Sequence, residues 1–208
     1  MAGTQDEGPE RVDGRRLRYQ HRREELLQAA TEHVLQHGLD RLSLRRVAES
    51  AGVGHAALLH HFGTRERLVA EIVERVLDRA FTAPELLDGA PAGEPEGGPL
   101  RALWRHATTG RGEQYVRLFL AITGDALHDE ALAGAVRRSV RERTGMLEAG
   151  LVREGCPPQE AGALATLVLG AMRGLVLDRF VTGDAARVDA AFEEFVRGVE
   201  LRLARSSP

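Results

Sequence analysis

Between Ser43 and Leu68 the chain reads SLRRVAESAGVGHAALLHHFGTRERL, a stretch that carries Arg45, Arg46, His55, His60, His61, Thr64 and Arg65. Guanidinium, imidazole and hydroxyl groups grouped in this way suit phosphate oxygens and base edges better than bond-making chemistry. A metal reading of the adjacent His60 and His61 is disfavoured, because neighbouring helical residues diverge by about 100° and no third ligand accompanies them. Neither a metal nor a cofactor is expected. Covalent catalysis has a single thiol to work with, Cys156, which stands beside Pro157 and Pro158 with no base near it in sequence. That setting suits a connector rather than a nucleophile. The sequence has no phosphate-binding Gly loop, no zinc-ligand spacing and no Gly-x-Ser-x-Gly, so no catalytic residue is assigned and an enzyme stays the remote third option.

The elements that must position these residues are two short helices joined by a tight turn. The first spans about 44–51, with Ser43 placed to cap it, since a Ser hydroxyl accepts from free first-turn N–H groups. Gly52 supplies the left-handed backbone that ends it. Val53 and Gly54 lead into a second helix over about 55–62, and Gly63-Thr64 break and recap the chain. Ala48 lies four residues before Gly52 and Leu58 six after it, the small contact and apolar anchor that two steeply crossing helices require. A helix upstream, from Leu17 or Tyr19 to His37, places Leu26, Leu27, Ala30, Val34 and Leu35 on one face and ends at Gly38. Leu39 and Leu42 would seal the junction. The pattern is that of a helix-turn-helix expected to bind DNA.

The expected fold class is all-α: a three-helix head followed by a larger helical body. A polar, disordered tail is expected over 1–16, the head over 17–64, a connecting helix over 65–82 and the body over 83–208. The connecting helix starts at Thr64, a good N-cap, and carries Leu68, Ile72, Val73, Val76 and Leu77. Residues 84–99, rich in Pro and Gly, read as a loop. Helices are expected near 100–109, 113–125, 129–154, 159–181 and 185–205.

Composition is that of globular material, 43% apolar and 28% charged. The net charge of −3 is unevenly spread: 10 Arg face 6 acids between Arg11 and Arg65, against 15 Arg and 18 acids from Phe81 onward. A basic head on an acidic body suits one-faced binding of a polyanion. The N-terminal MAGTQDEGPERVDGRR has no apolar core of a signal peptide, and the apolar run Ala161 to Met172 is too short to span a bilayer. With one cysteine, a cytoplasmic location without membrane association is expected.

The last two helices carry an assembly signal. Leu164, Leu167, Val168, Ala171, Met172, Leu175 and Val176 line one, with Gly170 and Gly174 a turn apart; Ala190, Phe192, Phe195, Val196, Val199 and Leu203 line the other. Such a hairpin packed on its symmetry mate makes a four-helix homodimer interface. The alternative is that both stripes face the chain's own core.

The order and spacing of a helix ending in Gly, then LSLRRVAESAGVG, LLHHF and TRERL, resemble the tetracycline-repressor (TetR) family of bacterial transcription regulators over about residues 22–76. The resemblance implies that Ser43, Arg45 and Arg46 lie in the DNA-contact set, Arg45 reaching a base edge. It makes Gly54, His55, Ala56 and Ala57 the opening of the recognition helix, with Leu59 and His60 on the same element. His61 would meet phosphate, and Thr64 with Arg65 would grip another at the start of the fourth helix. Departures are Gly54 for a usual Ser/Thr cap, Ala57 for a frequent Thr, Leu59 for the usual Tyr and Gly63 for a frequent Pro, so polar contacts are fewer.

The resemblance further implies a repressor that binds a palindromic operator in double-stranded DNA as a homodimer and is released by a small-molecule effector held in the body. Trp104, His106, Tyr115, Phe119, Ile122, Met146 and Met172 are candidates to line that site, with His128 as a further polar handle. The alternative is a helix-turn-helix regulator controlled by a partner protein or by nothing. The effector, the operator, the regulated genes and the choice between repression and activation lie outside the sequence.

Overall fold

The computed structural model of the chain describes residues 10–39, 43–81 and 98–206. The loop expected over 84–99 therefore falls almost entirely outside the described residues, as does Leu42. The described elements are all α-helical: α1 (Glu10–His37), α2 (Leu44–Ser50), α3 (His55–Phe62), α4 (Arg65–Ala80), α5 (Gly98–Thr108), α6 (Gly110–Asp125), α7 (Glu130–Arg153), α8 (Pro158–Thr182) and α9 (Ala185–Ser206). The chain divides into two compact units at Arg75/Val76, within α4.

In the first unit the core is built from Leu26, Leu27, Ala30 and Val34 of α1, Val47 and Ala48 of α2, Leu58 and Phe62 of α3, and Leu68, Ile72 and Val73 of α4, all buried. Thr31 is also wholly buried, and its hydroxyl is satisfied by donating to the Leu27 carbonyl at 2.7 Å. Polar ties fix α1 against α4: Arg23 pairs with Glu71, and Arg75 donates to Glu24 at 2.6 Å and to Gln28 at 3.3 Å. The helix α1 begins at Glu10, not at Leu17, so residues 10–16 are helical where a disordered tail was expected. The polar composition that suggests disorder is equally that of a fully solvated helix, and Glu and Arg propagate a helix well.

In the second unit α7 packs on α8, α5 on α6, α9 on α8 and α6 on α7. The α5–α6 corner depends on Gly112: a Cβ there would lie 2.1 Å from the His106 carbonyl oxygen, so only glycine lets the two helices approach this closely. The α8–α9 hairpin turns at Gly183, whose φ of 72° is left-handed and whose N–H bonds the Arg179 carbonyl at 3.0 Å. Arg187 then reaches back across the turn to both oxygens of Asp178, at 2.7 and 2.9 Å. Arg101 of α5 grips Glu193 and Glu200 of α9 at 2.9 and 2.6 Å, while Trp104 stacks on Phe192 with ring centroids 4.3 Å apart.

Burial separates the two meanings of the α8 and α9 stripes. Leu164, Val168, Phe192, Val196 and Val199 are buried in the chain's own core and are not available to a partner, which corrects their assignment to a dimer interface. Ala171, Leu175 and Phe195 are half-buried and Leu167 is 57% exposed. The face of α8 left open carries Leu167, Gly170, Gly174, Leu177 and Val181. A 3.6-residue period identifies that α8 is apolar nearly all round but not which side its own chain covers. The apolar run resumes after Arg173 with Leu175, Val176 and Leu177, so α8 is long and apolar enough to cross a membrane by length and composition alone, a test that the core helix of a soluble protein also passes.

Candidate nucleic-acid interface

The turn between α2 and α3 is closed by backbone. Gly52 has φ of 65°, its N–H bonds Glu49 O at 3.2 Å, and the Val53 N–H bonds Ala48 O at 2.9 Å. Gly54 occupies the N-cap of α3 in extended geometry without a side chain to accept from the first-turn amides. Ser43 sits at the N-cap of α2, as expected, but its hydroxyl makes no capping bond, so its predicted role is not filled. An Oγ in a β-region cap can rotate to solvent when the amides it would serve are exposed.

Burying Leu58 and Phe62 turns the other sides of α3 outward. His55, Ala56, Ala57 and His60 are exposed and Leu59 is half-buried. Arg45 and Arg46 are exposed on α2, and Arg45 pairs with Glu49 one turn on at 2.9 Å. An exposed pair of this kind is worth only about 0.3–0.5 kcal/mol, so the guanidinium is readily released to another acceptor.

The start of α4 is shaped for an anion. The Thr64 hydroxyl accepts from the Arg67 N–H at 3.2 Å, and Gly63, with φ of 77°, brings the chain into that cap. The Glu66 carboxyl is held below its usual pKa by bonding to its own backbone N–H and then to the Thr64 hydroxyl. A carboxylate of this chain thus takes one of the amides that a phosphate would use, a competitor that the motif does not reveal. Arg65 beside it is exposed.

His61 is placed differently from the rest. It is half-buried, its ring lies 4.6 Å from the ring of Tyr19, and its Nδ1 is shielded with no hydrogen-bond partner among the described residues. Burial, then the charges of His60, Arg22 and Arg23, lower its pKa, so at neutral pH it is an uncharged ring packed on α1. Arg23 secures the same corner, donating from Nε to the His61 carbonyl at 3.4 Å with its guanidinium 4.9 Å over Phe62. Tyr19, 42 positions away in sequence, could not be linked to His60 and His61 from local pattern.

In the body, the candidate effector residues fall into three groups. Tyr115, Phe119, Ile122 and Met172 are buried. Tyr115 accepts a hydrogen bond from Arg79 at 3.3 Å, and Phe119 meets Phe81 edge to face at 5.1 Å. His106 is half-buried and donates from Nε2 to the Arg79 carbonyl at 3.1 Å. Trp104 instead lines an open cleft of about 340 Å³ with Arg101, Thr108, Arg179, Asp189 and Glu193, and donates to Asp189 at 3.1 Å. Met146 and His128 are exposed and join neither group, Met146 on α7 and His128 in the turn between α6 and α7. The sequence reading passed over Arg173. Its guanidinium lies 5.6 Å from the Phe119 ring centroid and 5.9 Å from that of Phe81, and desolvation lowers its pKa. No group of three or more metal-ligating side chains occurs among the described residues.

Residues 26–72 match the family described as bacterial regulatory proteins, tetR family. Over 60 residues the chain is 40% identical to the HTH-type transcriptional repressor KstR2 of Mycolicibacterium smegmatis, a stretch that is 29% of each protein. The chain thus spans under a third of that relative's length. A TetR transcription regulator from Haloarcula marismortui shares the fold over 84% of this chain and 94% of its own, with a TM-score of 0.65 at 20% identity. The multidrug binding protein EbrR in complex with proflavin shares it over 85% of this chain and 98% of its own, with a TM-score of 0.56 at 24% identity.

Proposed function

Because the head of the chain matches the tetR family of bacterial regulatory proteins over residues 26–72, we propose that the chain is a TetR-family member, a cytoplasmic repressor that binds a palindromic operator as a homodimer and is released by a small molecule. The observation that carries the DNA-binding part is the exposed first turn of α3. Leu58 and Phe62 anchor that helix in the core, and its outer side is left to His55, Ala56, Ala57 and His60. In this reading α3 enters the major groove, Arg45 exchanges Glu49 for a guanine edge, and a phosphate replaces the Glu66 carboxylate at the Thr64 cap. The sparse polar surface of α3 places more of the affinity on Arg45, Arg46 and Arg65. His61, uncharged and packed on Tyr19, acts as scaffold.

The dimer reading is supported by the open face of α8. Leu167, Gly170, Gly174, Leu177 and Val181 are spaced by three and four residues alternately, the period at which one helix seats along another. A Cβ added at either glycine would meet nothing within 4 Å in the chain, so a second helix has room to approach there. Two heads held in this way would address half-sites about 34–36 Å apart. A ligand preferred by the form with a different spacing would lower operator affinity by its differential binding.

Selection of bound duplexes from a random pool tests the DNA reading. An inverted repeat should be enriched, and Arg45→Ala should relax preference at one position of each half-site. Arg65→Ala should weaken binding to all sequences and lower the salt slope by about one unit per lost phosphate contact. A pool that emerges without enrichment refutes the proposal.

A further inference from the structure

We propose that Arg173 is the anchor for the effector, and that the effector is a largely apolar molecule carrying a single carboxylate. The inference rests on the ligand-gated reading above and adds the chemistry of the ligand.

Arg173 interrupts the middle of α8, next to the wholly buried Met172 and one turn before the wholly buried Val176. Its Nε is shielded from solvent and has no hydrogen-bond partner among the described residues. The Phe119 and Phe81 rings attract the cation through their faces but leave its N–H donors without directed acceptors. Other arginines of the same unit have carboxylate partners: Arg101 with Glu193 and Glu200, Arg187 with Asp178 and Asp184, and Arg143 with Asp78. Arginine does not relieve a desolvated Nε by losing its proton, so the cost of that shielded donor persists until an anion arrives.

The surroundings select the anion. A guanidinium fork bonds a carboxylate through two parallel N–H donors. One half-buried positive charge is neutralised by one negative charge, whereas a phosphate dianion would leave an unmatched charge beside the aromatic rings. Around the fork lie Phe81 and Phe119, and the neighbouring positions Met172 and Val176 are apolar, which favours a hydrocarbon or ring for the rest of the ligand. Phe81 directly follows α4, so a ligand bound here would touch the end of the helix that leads to the DNA-binding head.

Calorimetric titration of the DNA-free full chain with octanoate, and with octanol as its uncharged counterpart, tests the proposal. Octanoate should bind at least about tenfold more tightly than octanol, the worth of a charge-assisted contact. Arg173→Met should remove that preference while leaving octanol binding unchanged. Without ligand, the melting temperature of Arg173→Met should equal or exceed that of the parent chain, because an unmatched charge gives way to an apolar side chain of similar length. Equal binding of octanoate and octanol, no octanoate binding, or an unchanged octanoate affinity in Arg173→Met overturns the proposal. So does a lower melting temperature, which would reveal a counter-charge within the chain. Duplex binding is measured separately: its loss with octanoate binding intact defeats the regulator reading and leaves the anion site standing, and the converse defeats only the anion site.

Discussion

Replacing Leu177 with glutamate examines whether the open face of α8 is a contact between two copies of the chain. Leu177 is 48% exposed in the single chain, so a partner has about half of the side chain left to cover. Complete burial of a leucine is worth about 1.5–3 kcal/mol, so the part at stake is about 1 kcal/mol. In a twofold interface each residue occurs twice, which makes about 2 kcal/mol for the hydrophobic contribution alone. That corresponds to a loss of about 30-fold in dimer affinity, and two desolvated carboxylates close to the axis increase it. Sedimentation velocity over a range of concentrations reads the dimer constant, and thermal melting of the separated monomer serves as the control. An exposed position changes stability within about 0.5 kcal/mol, a shift of about 1–2 °C for a chain of this size. An unchanged dimer constant would refute the assignment of this face. A collapse in melting temperature would refute it differently, by showing that Leu177 belongs to the core of its own chain.

Three other outcomes follow from local geometry. Gly112→Ala should destabilise the chain by about 1–3 kcal/mol or more, since its Cβ would lie 2.1 Å from a backbone oxygen; a melting temperature equal to the parent's contradicts the α5–α6 packing. Thr64→Ala should cost about 1 kcal/mol through loss of the α4 cap, while Thr64→Ser retains most of it; equal urea midpoints for all three chains would show the cap to be idle. His61 has a folded-state pKa below its ordinary 6.5, so the stability that it contributes is full above 6.5 and is lost as pH falls through the lower folded value. His61→Phe should abolish that acid-side loss, and urea melts at pH 7.5 and pH 5.5 that respond identically in both chains would contradict it.

The helix boundaries of the body were legible because their signals are local. The Gly155-Cys156-Pro157-Pro158 and Thr182-Gly183-Asp184 breaks stand between observed helices ending at Arg153 and Thr182 and starting at Pro158 and Ala185. Likewise, Gly38 and Gly52 announce left-handed turns at helix ends, where a Cβ is costly wherever the chain is placed. The α2–α3 scaffold was legible for the same reason: Ala48 and Leu58 are buried as their spacing requires. Ser43 was not, because whether a hydroxyl bonds an amide depends on its rotamer and on competition from water.

By itself, the sequence determined where most helices of this chain lie and stop and that its basic excess falls in the head, whereas the start of α1 at Glu10 escaped it. Only the tertiary structure decided that Leu164 points into the core while Leu167 points out, three positions along the same apolar helix. It also decided that His61 rests on Tyr19, that Gly112 admits the His106 carbonyl, and that Arg173 meets two aromatic rings without a counter-charge among the described residues. These depend on which distant segments pack together, and burial, unlike helical periodicity, is a property of the whole packed unit.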